Sequence, residues 1–466
     1  MPAVASLVPL LVVPIALGAG LLGVGAGVGT CWWLGTAVAA LAVVIGHATR
    51  IPQPVVLVAI SVATAISLVA RVRRGSWRTT PSRRDVVQAA LLALLISPLV
   101  AAGVLRTLDH PALGADAIVI WYAKAKALYQ WLPFRELPFE NYPALGPAAW
   151  MLVLQWVGAD RENIGRVVLV LPYFFWIVTL LELFPRPWPR ASFVVVPGLA
   201  VLFFDFDRFT HGDQDGFLMM TAGMATIFMV KVLLRLSSAE GTAAQILPAL
   251  TATADGRRDA FLGAFFAGIL GLIKQEGTVL GLILVVSWVA AILAHERPAR
   301  WGPMVRRLLP SLLTYAAVAA LWPTLLLING VDVRKVQGEA FTVASVTQAL
   351  GNVDRWPTIQ PFFVNYYRAA APLLVAAAVA SVGLAWTCQR TRVVLAFLWG
   401  VLILHSGFVL VVFLSTRQQL LWHLRTAFER LAGQGRFVLV MLLGLTLISL
   451  ATALTSPEGA RATDGR

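Results

Sequence analysis

Apolar residues in this 466-residue chain come in runs of roughly twenty, the length a helix needs to cross the hydrocarbon core of a bilayer. Segments near 5–28, 32–48, 54–70, 86–106 and 166–184 have this character, and others follow as far as 437–455. Lipid offers backbone N–H and C=O groups no water to bond, so only helices or closed barrels survive there. The residue-by-residue alternation of a membrane barrel is absent. Composition agrees, with 59% hydrophobic and only 13% charged residues, against about a quarter charged in soluble domains. The fold class expected is all-α: a polytopic transmembrane helical bundle of about thirteen spans, with amphipathic juxtamembrane helices in its outer loops.

The net charge of +14 invites a nucleic-acid reading, but its placement argues for topology. Basic residues gather in short loops between spans: Arg71, Arg73, Arg74, Arg78, Arg83 and Arg84; Arg186 and Arg190; Arg257 and Arg258. Further groups are Arg297, Arg300, Arg306 and Arg307, then Arg390 and Arg392. Cytoplasmic loops accumulate Lys and Arg in this way, so no nucleic-acid partner is expected. Cys31 and Cys388 both lie in or beside apolar runs, which excludes a disulfide framework or cysteine zinc site. No basic residue precedes the first apolar run, so a cleaved signal peptide is not expected.

With the basic loops inside, a consistent path follows. The stretch 107–165 lies outside, and its apolar piece 145–157 is read as a helix on or dipping into the outer interface, too short to span. Residues 191–204 and 259–273 count as outward spans, and 236–258 as a cytoplasmic linker. The segment 330–370 is a second long external loop, with Arg334, Lys335, Trp356, Tyr366, Tyr367 and Arg368. Spans near 371–387, 393–414 and 437–455 complete the path. The unusual polar residues Asp116, Lys124, Asp213, Asp215, Lys274, Glu276 and His423 then all fall on the external side.

Asp116 opens a stretch with apolar or aromatic residues at 117, 118, 121, 122, 125, 128 and 129, the spacing of an amphipathic helix. A carboxylate at such a start suits a helix cap. Lysine is scarce, at positions 124, 126, 231, 274 and 335, so two on one short helix draw notice as point charges for a phosphate. Between Asp205 and Asp215 lie the pairs Asp205/Asp207 and Asp213/Asp215 with His211 between them. Asp-x-Asp pairs offer oxygen ligands to a divalent cation, or simply form a wet turn. Lys274 and Glu276 interrupt an apolar stretch; charges there face a protein cavity rather than lipid, or form a self-compensating turn. Residues 420, 421, 424, 427, 428 and 431 mark another amphipathic helix, with His423 beside Trp422. No phosphate-binding loop, Gly-rich dinucleotide turn, zinc-protease helix or serine elbow is present.

In order along the chain, Asp116 with Trp121–Lys126, the Tyr142-Pro-Ala-Leu-Gly-Pro147 run, Gly212-Asp-Gln-Asp215, Lys274-Gln-Glu-Gly277 and Trp422-His-Leu resemble motifs of the GT-C superfamily of membrane glycosyltransferases. The likeness is to the bacterial polyprenyl-phosphate-sugar-dependent, dolichyl-phosphate-mannose-type enzymes, and it covers roughly 86–436. It implies three regions: 1–85, N-terminal spans and a basic loop; 86–436, a catalytic transmembrane region; and 437–466, a last span and tail. It further implies an inverting glycosyltransferase of the cell membrane. A sugar would pass from a polyprenyl-phosphate donor to a cell-envelope glycan or lipid on the extracytoplasmic face. Asp116 would be the catalytic base, with Lys124 and Lys274 on the donor phosphate. Asp213, Asp215, Glu276, His211 and Tyr142 would support the site or meet the acceptor, and Asp213 with Asp215 would hold a divalent Mg or Mn ion. A flippase of lipid-linked sugars, or a ligase or polymerase using polyprenyl-diphosphate donors, stands as the alternative.

Overall fold

The structure, a computed structural model, describes residues 2–22, 27–73, 83–111, 114–184, 188–238, 254–296, 298–332, 343–388, 391–416 and 418–455. The centre of the first basic loop, Arg186, most of the linker 236–258, Arg297, Arg334, Lys335, Arg390 and the tail lie outside those residues.

The described chain is helical throughout, as the apolar runs require. Its helices are α1 (Pro2–Leu22), α2 (Val28–Ala48), α3 (Gln53–Arg73), α4 (Arg83–Asp109), α5 (Ala123–Tyr129) and α6 (Leu145–Val157). Next come α7 (Glu162–Leu180), α8 (Ser192–Phe203), α9 (Phe206–Thr210), α10 (Asp215–Ser238), α11 (Ala254–Ile273) and α12 (Glu276–His295). The remainder are α13 (Trp301–Ile328), α14 (Val343–Gly351), α15 (Trp356–Thr387), α16 (Arg392–Ser415), α17 (Leu420–Gly433) and α18 (Arg436–Thr455). Among the described residues, 10 helices are long and apolar enough to cross a membrane, so the chain is a multi-pass helical bundle.

Two of the thirteen expected spans fall below that measure for local reasons. Helix α8 has 12 residues, about 18 Å at 1.5 Å per residue, short of a hydrocarbon core of about 30 Å. Helix α11 is long enough, but Asp255, Arg257, Arg258 and Asp259 occupy its start.

Helices α7 and α10 form the enclosed centre, while α3, α4, α13 and α15 form the perimeter. Val55, Ile66, Leu94, Leu313, Val379 and Trp386 are bare there, as lipid-facing side chains should be. Inside, Trp32 stacks on Phe175 at 4.6 Å and Trp33 on Phe217 at 5.6 Å. Close approach of α1 and α2 depends on small residues: a Cβ on Gly18 or Gly35 would fall 1.9 Å from a carbonyl of the other helix. Helix α2 also packs against α6 and α7, and one continuous apolar core reaches from Leu17 to Ile448.

Two expectations are corrected. The 145–157 piece, short as expected, does not lie on a surface: most of α6 is buried, Trp150 and Met151 completely, because it wedges between α2, α5 and α7. The 330–370 segment is not a long loop. Helix α15 begins at Trp356 with Pro357 in its first turn and runs 32 residues. Tyr366 and Arg368 disguise its first half, but Phe362, Phe363 and Tyr366 close over Phe428 of α17.

Candidate functional site

Four separate segments deliver charged side chains to one place: the start of the segment at Asp116, the turn 211–215, the α11–α12 corner and the end of α17. Asp215, at the first residue of α10, is 1% exposed. Lys274 lies 3.0 Å from its Oδ1, and the Gln434 amide donates to the same oxygen at 2.9 Å. Lys274 also contacts Glu276 at 3.0 Å. Arg430 spans the other side: its Nε is 3.6 Å from Asp215 Oδ2, and one terminal nitrogen donates to Asp116 Oδ2 at 2.7 Å. One guanidinium thus bridges Asp116 and Asp215.

Asp116 is the open end of this cluster, its side chain 45% exposed. It does not cap a helix. Its backbone is already helical and its carboxylate makes no capping bond, because Arg430 takes it instead. The next six residues, Ala117–Tyr122, form a π-helical turn before α5 begins. Such widened turns recur at functional sites.

Asp213 stands beside the cluster with its carboxylate against Gly114. Burial, then the neighbouring Asp215 charge, pushes its pKa up, and one of its oxygens is buried without a hydrogen-bond partner. Gly212 turns the chain into this position at φ +92°, a conformation glycine adopts without the Cβ clash of other residues. Tyr142 is half-buried; burial raises its phenol pKa, and Glu276 raises it further. Burial alone would lower the Lys274 pKa, but Asp215 and Glu276 outweigh it and hold the ammonium above its ordinary value.

Two expected members are placed elsewhere. Lys124 is fully buried and its ammonium donates to the Phe139 carbonyl at 2.7 Å and to that of Tyr142. Desolvation lowers its pKa well below the lysine range. It braces the turn that presents Tyr142 and does not face the cluster. His211 pairs with Asp207 at 3.3 Å, not with Asp213 or Asp215. His423 bonds Thr416 at 2.8 Å.

Asp205 and Asp207 are likewise spoken for. Arg106 holds Asp207 at 2.7 Å, while Arg436 at 3.1 Å and Arg208 at 3.6 Å hold Asp205. For a divalent ion at Asp213 and Asp215, Oδ1 of Asp215 is taken by Lys274 and Gln434, and its Oδ2 and one Asp213 oxygen are buried without a hydrogen-bond partner but have the Arg430 charge 3.6 Å from Oδ2. Among the described residues no group of three metal-ligating side chains occurs.

Three residues central to this architecture were not singled out from sequence. Arg430 and Gln434 belong to the amphipathic α17 and the turn after it, and only the remote approach of α10 gives them meaning. Arg166 of α7 is fully buried and donates to the Thr107 carbonyl at 2.8 Å, and to those of His110 and Thr210. It ties the end of α4 to the turn ahead of Asp213. A buried arginine midway between acidic loops was the available signal. Comparison of the chain with protein-family models, curated proteins and solved structures returned no match.

Proposed function

We propose that this cluster is the active site of an inverting membrane glycosyltransferase. It would move a sugar from a polyprenyl-phosphate donor to a hydroxyl of a cell-envelope glycan or lipid, on the extracytoplasmic face of the cell membrane. The observation that carries the reading is the accessible Asp116 carboxylate bonded to Arg430, whose guanidinium reaches the Asp215 that also holds Lys274. Ionisable groups in a membrane protein are expensive and face functional cavities.

In this reading Asp116 accepts the proton of the acceptor hydroxyl as its oxygen attacks the anomeric carbon. The bond from that carbon to the lipid phosphate oxygen breaks, and the phosphate departs with the electron pair. Arg430 and Lys274 stabilise that growing negative charge, the kind of preorganised electrostatic help that dominates many enzymes. Asp215 and Glu276 keep Lys274 charged and in place, and Tyr142 and Asp213 meet sugar hydroxyls. Lys124 supports the Tyr142 turn instead of gripping phosphate.

The test is the purified protein in lipid vesicles with radiolabelled polyprenyl-phosphate sugars and envelope acceptors. Acceptor-linked label is expected. Movement of intact donor across the bilayer without bond cleavage would replace the enzyme with a transporter.

A further inference from the structure

Arg430 has two carboxylate neighbours and, resting on the reading above, must receive a third anion. These cannot all stay. Asp215 is 1% exposed and fixed from other directions by Lys274 and Gln434. Asp116 is 45% exposed, and its carboxylate is bonded to Arg430 at 2.7 Å. The carboxylate that can return to water at least cost is therefore Asp116. We propose that Asp116 is the resident counter-ion of Arg430, and that the donor phosphate displaces it. Binding of the donor then does two things at once: it places the leaving group on a guanidinium and releases the carboxylate to act as base.

The exchange suits the chemistry of both partners. A guanidinium presents a planar fork that matches a phosphate as well as a carboxylate, so one anion can replace the other without moving α17. In the unoccupied site one oxygen of the base is taken by Arg430 at 2.7 Å, and donor binding frees it for the acceptor hydroxyl. Only the Asp116 side chain has to turn. Its partner stays anchored to the buried Asp215, so Arg430 remains within reach of the leaving group throughout.

Competition of this kind makes an unusual demand on binding. Removing the charge of Asp116 should strengthen phosphate binding while removing turnover. The measurement is binding of polyprenyl phosphate, the released carrier, to the full-length protein in lipid nanodiscs. Wild type, Asp116→Asn and Arg430→Gln are compared, with Arg430→Lys as the milder variant. Asp116→Asn should bind about tenfold more tightly than wild type, the scale of one charge-assisted hydrogen bond no longer competing. Arg430→Gln should lose most binding, and Arg430→Lys should keep part of it. Inorganic phosphate as the second probe separates headgroup from tail: tightening with both ligands, or with the lipid alone, supports the exchange.

Equal or weaker binding of polyprenyl phosphate by Asp116→Asn overturns the exchange and leaves the transferase reading standing. Failure of the wild type to bind it, together with absence of sugar transfer, overturns that reading as well.

Discussion

Lys274 and Asp215 meet at 3.0 Å in an ion pair almost wholly shut from solvent, with Glu276 on the far side of the same ammonium. Removing one member of a buried pair strands the other charge, which costs about 3–5 kcal/mol. Lys274→Met should lose stability on that scale, and Lys274→Met with Asp215→Leu should lose less than the two single changes added together. Thermal unfolding in detergent measures this cycle. Simple additivity would mean the pair is not coupled.

Asp213 gives a pH signature. Its pKa is raised above the ordinary carboxyl value of 3.8 by burial first and by Asp215 second. A carboxyl whose folded pKa exceeds its unfolded one binds more protons when folded, so its ionisation erodes stability as pH rises through that interval. Asp213→Asn, which cannot ionise, should therefore be more stable than wild type above the folded pKa and lose that advantage below about 3.8. Unfolding temperatures across an acid-to-neutral series test the sign; a benefit confined to acid would contradict it.

Lys124 and Lys126 should behave differently. Lys124→Met leaves the Tyr142 carbonyl without its side-chain donor, while that of Phe139 keeps the Tyr142 N–H, so the cost should be about 1–3 kcal/mol for the one buried acceptor left unpaired. Lys126→Met, at a half-buried position, should cost less than Lys124→Met. Full stability with weakened polyprenyl-phosphate binding in Lys124→Met would return Lys124 to the phosphate.

Arg166→Met should cost at least about 2 kcal/mol, because it removes a charged donor from three carbonyls at once. It should also lower kcat beyond the loss of folded protein, since Arg166 fixes the approach to both acidic loops. Turnover normalised to folded protein that matches wild type would confine Arg166 to stability.

Exhaustive chelation should leave sugar transfer unchanged, because Lys274 and Gln434 occupy Asp215 Oδ1 and the Arg430 cation already stands 3.6 Å from Oδ2. Loss of transfer that returns on adding Mg or Mn would show that those contacts give way to metal.

Helical periodicity and run length made the bundle legible, because lipid leaves the backbone no choice but internal hydrogen bonds. They were weakest where polarity and burial diverge. Tyr366 and Arg368 concealed the first turns of α15, and the apolar α6 read as surface because its short length suggested an interface. Asp116, Asp215, Lys274 and Glu276 stood out by being charged among apolar neighbours, and the structure brings all four together. Sequence could not pair them with Arg430, 314 positions from Asp116, since arginine is common in this chain and contact across the bundle leaves no local pattern. Lys124 misled for a related reason: scarcity marks a residue as unusual, but not which way it points.

The π-helical turn Ala117–Tyr122 has a consequence for descent. Successive residues of an α-helix are separated by about 100° around the axis, and the wide turn fits one residue more than an α-helical turn would hold. Asp116, ahead of the turn, reaches Arg430, while Lys124, after it, reaches the Phe139 carbonyl, so the extra residue lies between the two contacts. A turn of this kind is what a one-codon insertion into an ordinary helix leaves behind. Loss of one codon between 117 and 120 would swing the carboxylate about 100° from its guanidinium without changing a single charged residue. Within a lineage, such a site can be gained or lost by a change in length alone.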